Sequence, residues 1–163
     1  MIAAIVAVDN DWGIGYNNQL LENIPEDLKR FKELTTGHTV IMGTNTWKSL
    51  PKKPLPNRRN IILSRKKEVY PHDEYLRMTE KEFGYWLEDH PEETVFIIGG
   101  ARTYAKYLDI CDVIYLTHIY KSHNNIDAYF PNVDKDSSWA IVDISDIKTF
   151  EDIEYQFITY ERL

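Results

Sequence analysis

The sequence predicts an α/β protein with a mainly parallel central sheet, an antiparallel strand at its C-terminal edge and helices on both faces. Continuous apolar runs such as residues 2–8, IAAIVAV, are typical of strands covered on both faces. Segments with helical spacing alternate with these runs, which indicates right-handed crossovers between parallel strands. The last two strand candidates follow one another without a helix, so the chain should end in an antiparallel pair.

The remaining elements follow from local patterns. Residues 9–19 are rich in turn formers and predict a loop, and residues 24–35 predict an amphipathic helix with Pro25 in its first turn. Thr79, with Glu82 three positions later, predicts a capping box that opens a helix. The other expected elements are strands over 38–43, 59–64, 94–100, 112–120, 138–144 and 154–163, a short helix or turn over 44–50, and helices over 79–90 and 101–110.

Composition narrows the class of protein. The 163 residues predict one domain over 1–163, without linker or repeat. A net charge of −7 argues against a nucleic-acid partner, because phosphate binding needs a clustered basic face. The first residues are typical of a strand and not of a signal peptide, and no apolar run approaches the roughly 20 residues that cross a membrane. Cys111 is the one cysteine, which fits a reducing compartment. We therefore expect a cytoplasmic protein without a membrane partner.

One carboxylate stands out in the helix over 24–35. At about 100° per residue, Asp27 falls on the apolar side, between Phe31 and Leu34, while the other acids point away. The helix dipole favours acids in the first turn, but it acts equally on Glu26 and gives no reason for the inward direction. A carboxylate facing apolar side chains needs partners or a raised pKa. A functional acid is therefore favoured over a structural one.

Three predicted strands end in residues that suit phosphate. The strand over 38–43 ends at Gly43 and is followed by the hydroxyls of Thr44 and Thr46. The strand over 59–64 ends at Ser64, with Arg65 next. The strand over 94–100 ends in two glycines, at 99–100. Glycines allow close backbone approach, and arginine offers paired donors. Because ligands bind beyond the carboxyl ends of parallel strands, the sequence predicts a nucleotide site at this edge. No P-loop or G-x-S-x-G motif is present, and the histidine spacings predict no metal site.

These residues resemble the dihydrofolate reductase family over nearly the whole chain. The motifs that carry the resemblance, in family order and spacing, are AIVAVDNDWGIGYNNQL, IPEDLKRFKELT, VIMGTNTWKSL, PLPNRRNIILSR, FIIGGARTY, IYLTHI and DAYFP. The resemblance implies hydride transfer from NADPH to C6 of dihydrofolate, with protonation at N5, to supply tetrahydrofolate for one-carbon metabolism. It also implies antifolate binding, a monomer and a cis peptide bond between Gly99 and Gly100.

The resemblance also implies a set of site residues. Asp27 would be the catalytic acid that holds the pterin, Thr117 would bond that acid, and Arg58 would hold the glutamate tail of the substrate. The substrate-binding residues would be Ile5, Ala7, Asp27, Leu28, Phe31, Leu50, Leu55, Arg58, Ile98, Tyr104 and Thr117. The cofactor-binding residues would be Ala7, Ile14, Gly15, Gly43, Thr44, Asn45, Thr46, Leu63, Ser64, Arg65, Ile98, Gly99, Gly100, Ala101, Arg102, Thr103 and Tyr104. For the apolar residues a core role stays open, and Arg58 could be a surface arginine.

The sequence departs from the family pattern in three places. Leu21-Glu22 replaces a frequent Pro-Trp pair, so Glu22 either enters the region near Asp27 or points to solvent. Thr44 replaces a frequent phosphate-binding arginine, which leaves more of the 2′-phosphate recognition to Arg65. Ile126 stands where glycine is frequent. The alternatives are a pyrimidine reductase of riboflavin synthesis, a catalytically weak nucleotide-binding domain of the same fold, and a flavin electron carrier.

Overall fold

The computed structural model describes residues 1–65 and 74–163, which form twelve strands and four α-helices. The basic residues Lys66 and Lys67, and His72, lie outside the described part. The strands are β1 (Ile2–Val8), β2 (Gly13–Tyr16), β3 (Gln19–Leu20), β4 (Thr39–Gly43), β5 (Arg59–Leu63), β6 (Tyr75–Met78), β7 (Val95–Ile97), β8 (Val113–Ile119), β9 (Ala128–Tyr129), β10 (Trp139–Ile144), β11 (Lys148–Phe150) and β12 (Ile153–Arg162). The α-helices are α1 (Pro25–Thr35), α2 (Thr44–Ser49), α3 (Glu80–Asp89) and α4 (Ala101–Tyr107), with short 3₁₀ turns at Leu108–Ile110 and Val133–Lys135.

The main sheet has the predicted architecture. Its strands lie in the order β10-β12-β8-β1-β7-β4-β5-β6, and β11 also pairs with β12. The pairs from β8 through β1, β7, β4 and β5 to β6 are parallel. Strand β12 runs antiparallel to both β8 and β10, so the chain ends in the expected antiparallel pair. The predicted fold class is confirmed.

Helices cover both faces of the sheet. Neighbouring residues of a strand point to opposite faces, and β1 divides its side chains accordingly. Ala3 belongs to a cluster that contains Trp47 of α2, and Phe31 of α1 packs against the same cluster. Ala4 belongs to the other cluster, with Phe83 of α3 and residues of α4. Each helix therefore buries its apolar side against one face of the sheet, as predicted.

A second, three-stranded sheet includes residues 13–16 and 19, which were predicted as loop, and two residues at 128–129 for which no element was predicted. Its order is β3-β2-β9. Asn17 and Asn18 both have positive φ angles, 51° and 59°, and connect β2 to β3 as the two central residues of a tight hairpin. That Asn-Asn pair was an available signal for the hairpin. Strands β6, β9 and β11 were missed as well, because runs of two to four residues carry too little alternation to recognise.

The start of α3 is as predicted. Thr79 Oγ1 accepts a hydrogen bond from the Glu82 backbone N–H at 3.1 Å, and the Glu82 side chain accepts one from the Thr79 backbone N–H. This capping box begins α3 directly after β6, which pairs in parallel with β5. In residues 1–65 and 74–163, no helix has the length and apolar character that crossing a membrane requires.

Candidate active site

A cavity of about 1490 Å³ opens at the carboxyl ends of the parallel strands β1, β4, β5 and β7. Every residue that the resemblance assigned to the cofactor lines it, from Ala7 on β1 and Ile14 on β2 to Tyr104 on α4. The structure therefore brings together sequence segments that are nearly a hundred positions apart. Their contact with a cofactor stays a prediction, because the lining shows proximity and not occupancy.

Glycines keep the backbone of this cavity accessible. A Cβ on Gly43 would lie only 3.1 Å from Thr103 Oγ1. Gly99 has a φ of 133°, a backbone conformation that residues with a side chain rarely adopt. The Gly43 N–H donates to the Gly99 carbonyl at 2.9 Å, which joins the end of β4 to the Gly-Gly turn. The peptide bond between Gly99 and Gly100 is cis, as expected. Glycine at positions 43 and 99 therefore keeps the main chain open to a ligand in the cavity, between the hydroxyls of Thr103 and Thr46.

The polar lining has the chemistry that a phosphorylated nucleotide requires. Ser64, Arg65 and Arg102 line the cavity, and Arg65 and Arg102 are exposed. Thr44 differs from expectation in one respect, because its hydroxyl donates to the Leu63 carbonyl at 3.2 Å and so helps to hold β5 beside α2. This donor set fits NADPH. The 2′-phosphate of NADPH would need a cation, which Arg65 can supply and Thr44 cannot.

Several lining residues were missed in the sequence. They are Val6 on β1, Asn18, Gln19 and Leu20 at the β2–β3 hairpin, Lys48 and Ser49 on α2, Arg77 on β6, Thr79, Glu80 and Lys81 at the start of α3, and Asp127 and Ala128 before and in β9. Half of them lie at the β2–β3 hairpin, on β6, or in or beside β9, in segments that were not predicted as strands. Recognising 75–78, YLRM, as a parallel neighbour of β5 would have placed Arg77 at this edge.

Asp27 lies beside this cavity, in the first turn of α1. Thr117 on β8 is 2% exposed, and its Oγ1 donates to Asp27 Oδ1 at 2.5 Å. Burial raises the pKa of the Asp27 carboxyl, while the Thr117 hydrogen bond and the charge of Arg30 act in the opposite direction. Thr117 stands opposite Ala7 in the β1–β8 register, and Ala7 lines the cavity. The predicted acid and the predicted cofactor cavity are therefore neighbours.

Most of the apolar residues that the resemblance assigned to the substrate belong to or pack against one core cluster, and their contact with substrate stays a prediction. Phe31, Leu50, Leu55 and Ile98 pack against the cluster that contains Ile5. Leu28 is 45% exposed on α1, which is too much for a core residue and fits a wall of an open site. The Tyr104 hydroxyl donates to the Ile5 carbonyl at 2.7 Å, and burial raises the pKa of the Tyr104 phenol.

Arg58 and Arg59 have different surroundings. Arg58 donates from Nε to the Pro56 carbonyl at 2.9 Å and from a terminal nitrogen to Thr35 Oγ1 at 3.1 Å. Its guanidinium carbon lies 6.0 Å from the centre of the Phe31 ring. Arg59 is exposed and pairs with Glu93 at 2.9 Å, so it matches the surface-arginine interpretation better than Arg58 does. Arg58 is held at the α1 side of the site.

Glu22 follows neither of the two directions that the sequence left open, because it forms ion pairs within the protein. Glu22 Oε1 accepts from Lys121 Nζ and from His123 Nε2, both at 3.0 Å. The other ring nitrogen of His123 lies 2.9 Å from Oδ2 of Asp9, which is fully buried. These partners are more favourable for a carboxylate than a second acid would be, and they turn Glu22 towards the loop between β8 and β9.

Ile126 is accommodated by a nearby glycine. Its side chain occupies the space above Gly13, where a Cβ would lie 2.6 Å from Ile126 Cδ1. The next residue, Asp127, donates its backbone N–H to the Gly15 carbonyl at 3.1 Å and accepts from the Asn17 N–H at 3.0 Å. The departure at Ile126 therefore leaves the pairing of β2 with β9 intact.

No group of histidine, cysteine and acidic side chains in the described part of the chain could hold a metal ion. The sheet edge and the cavity instead define a class of protein, the nucleotide-dependent α/β enzymes, here with a buried carboxylate next to the cavity. The dihydrofolate reductase family model matches residues 1–162. The chain belongs to the dihydrofolate reductase family.

Relatives and a solved structure agree with this assignment. The dihydrofolate reductase of Bacillus subtilis (strain 168) is 35% identical over 99% of this chain and 95% of that protein. The dihydrofolate reductase of Neisseria gonorrhoeae is 34% identical over 98% of this chain and 96% of that protein. The structure of dihydrofolate reductase from Enterococcus faecalis, complexed with NADP(H) and RAB-propyl, superimposes with a TM-score of 0.85 at 30% identity, over 99% of this chain and 96% of that one.

Proposed function

We propose that the protein reduces 7,8-dihydrofolate to 5,6,7,8-tetrahydrofolate by hydride transfer from NADPH. Membership of the dihydrofolate reductase family over residues 1–162 and the likeness to a relative complexed with NADP(H) support this function. The observation that carries it is the position of the Asp27–Thr117 pair, because Thr117 stands directly opposite Ala7, which lines the cavity. That arrangement puts a fixed carboxylate next to a nucleotide-sized site.

NADPH, when bound, supplies the hydride. We propose that Gly43 and the Gly-Gly turn leave room for its phosphates close to the main chain, and that Arg65 meets the 2′-phosphate. The side chains of Ser64 and Arg102 add further donors at the same edge. The rest of the chemistry then falls to the residues that hold the pterin.

Asp27 is the group that recognises the pterin in this proposal. A carboxylate has two acceptor oxygens, and the pterin offers a ring N–H and an amino group side by side. The Thr117 hydroxyl fixes Oδ1, so the carboxylate plane is set before substrate arrives. Since Asp27 holds the edge away from N5, the proton reaches N5 through water. Arg58 binds the glutamate tail at the other end of the substrate.

We further propose that the protein acts as a monomer in the cytoplasm. The monomer is what the family resemblance implies. Cys111 is buried and free, which suits a reducing compartment.

NADPH oxidation by the purified protein, with and without dihydrofolate, tests the function. We expect oxidation only with dihydrofolate, formation of tetrahydrofolate, and suppression by a diaminopyrimidine antifolate. Oxidation that depends instead on the pyrimidine substrate of riboflavin synthesis would favour that alternative. The absence of turnover with either substrate, in protein that binds NADPH, would favour the weak nucleotide-binding domain.

A further inference from the structure

Arg30 is a cation on the buried side of α1, close to the acid of the site. It follows Asp27 by three positions, so the two side chains lie on the same side of the helix. Its guanidinium carbon lies 4.4 Å from the centre of the Phe157 ring and 5.8 Å from that of Tyr115. Such contacts with aromatic faces are attractive and hold a guanidinium in place.

The two rings locate this cation relative to the site. Phe157 on β12 stands directly opposite Thr117 in the β8–β12 register, and Tyr115 precedes Thr117 by two positions on the same face of β8. Thr117 is the residue whose hydroxyl donates to Asp27. Arg30 is therefore fixed against the part of the sheet that orients the acid.

The surrounding charges leave Arg30 available to act on Asp27. In residues 1–65 and 74–163, Arg30 forms no ion pair of its own. Glu26 is bound by the Tyr155 hydroxyl at 2.5 Å and by Lys148 at 3.2 Å. Lys29 is 76% exposed and paired with Glu33. The remaining titratable groups that interact with Asp27 or Arg30 are Tyr104 on α4, Tyr115 on β8, Asp143 on β10 and Tyr155 on β12.

We propose that Arg30 is a positioning residue for dihydrofolate reduction, whose cation, held by Phe157 and Tyr115, favours the ionised form of the buried Asp27 carboxyl. Only the ionised carboxylate has two free acceptors for the paired pterin donors. This inference rests on the proposed function for its role in turnover, but the coupling of Arg30 to Asp27 is a property of the ligand-free protein.

The electrostatic directions agree on both sides of the pair. Burial raises the pKa of Asp27, and the charge of Arg30 lowers it. Burial lowers the pKa of Arg30, and the charge of Asp27 raises it. The charge of each group therefore offsets part of the effect of burial on the other.

The test is a carboxyl titration of the ligand-free protein by ¹³C NMR, with the Asp27 resonance assigned through Asp27→Asn. In Arg30→Met we expect the midpoint of Asp27 to rise by about 1 unit or more, the usual effect of losing an opposite charge. Arg30→Lys should restore most of the parent midpoint, because it keeps the charge. Lys29→Met is the matched control, and its midpoint should equal the parent's because Lys29 is solvated. If Arg30→Met fails to fold, Arg30→Gln replaces it.

Kinetic measurements then distinguish the effect of Arg30 on Asp27 from the proposed reduction of dihydrofolate by the protein. In an active parent, the pH–rate profile for dihydrofolate should move to higher pH in Arg30→Met and not in Lys29→Met. An Asp27 midpoint that is unchanged in Arg30→Met or Arg30→Gln would overturn the proposal, and so would an equal shift in Lys29→Met. A parent that does not turn over dihydrofolate would refute the proposed function, while the titration would still decide whether Arg30 acts on Asp27.

Discussion

Glu22 Oε1 and His123 Nε2 lie 3.0 Å apart, and this contact links the segment after β3 to the loop between β8 and β9. The second ring nitrogen of His123 lies 2.9 Å from Asp9 Oδ2. His123 therefore bridges two acids, with one acid at each ring nitrogen. This bridge explains why Glu22 is turned away from Asp27.

We expect Glu22→Gln to destabilise the protein near neutral pH without moving the pH–rate profile. Burial tends to raise the pKa of Glu22, but the hydrogen bonds and charges of His123 and Lys121 outweigh it and hold the pKa below its ordinary value. The stabilisation is therefore present above that ordinary value and is lost as the pH falls through the lower pKa of the folded state. Urea unfolding at several pH values should show a loss of about 1 kcal/mol near pH 6 that disappears in acid.

Glu33→Gln is the matched control for this prediction. Glu33 is 65% exposed and lies 3.9 Å from Lys29, so its removal should change the free energy of unfolding little at any pH. A loss of the same size in both variants, or a pH–rate profile that moves in Glu22→Gln, would contradict the bridge as we describe it.

Arg58→Ala should raise the KM for dihydrofolate and leave kcat nearly unchanged. The glutamate tail does not change in the transition state, so its contact contributes equally to substrate and transition state. Losing a charge-assisted contact should cost about 1.5–3 kcal/mol. Steady-state kinetics check this, with Arg59→Ala as the control because Arg59 pairs with Glu93 instead. Equal KM values in the parent and in Arg58→Ala would make Arg58 a structural residue.

Arg65→Ala should reduce the preference for NADPH over NADH. Arg65 lines the cavity, and Thr44 offers no replacement charge for the 2′-phosphate that NADH lacks. Measuring kcat/KM for both cofactors decides the matter. Arg102→Ala is the comparison, because Arg102 follows the Gly-Gly turn and should affect both cofactors alike. A loss in Arg65→Ala that is the same for NADPH and NADH would assign Arg65 to a part common to both.

Asp27→Asn should stabilise the ligand-free fold at neutral pH. Because burial raises the pKa of Asp27, the folded state binds its proton more tightly than the unfolded chain, and stability falls as the pH rises through that range. Asparagine avoids this cost and can still accept from Thr117. Melting temperatures should favour the variant at neutral pH, with a gap that narrows below the ordinary pKa of 3.8. A gap that is constant with pH would contradict an ionisable Asp27.

The sequence predicts the elements that have long periodic patterns. The strand over 2–8 and the helix that follows Pro25 were expected where β1 and α1 lie, because burial of their apolar residues dominates their local energetics. The capping box at Thr79 was recognisable because both partners are three positions apart. The residues at the strand ends that line the cavity were also predictable, because the carboxyl ends of parallel strands lie at the same edge of a sheet.

The features that the sequence did not predict depend on contacts between distant parts of the chain. Strand β9 forms only because 128–129 meets β2, and no local pattern reports that pairing. The direction of Glu22 depends on His123, about a hundred positions away, so the sequence left two alternatives open. Arg77 was missed because β6 is too short to recognise without its neighbour β5.

The most direct test of this account is the rate of NADPH oxidation with dihydrofolate by the parent and by Asp27→Asn, measured side by side on protein shown to be folded. We expect the parent to turn over and the variant to lose on the order of 10²-fold or more, because asparagine offers one acceptor and an NH₂ group that clashes with the pterin donors. Equal turnover by both proteins across pH would contradict the assignment of Asp27 as the acid of this site.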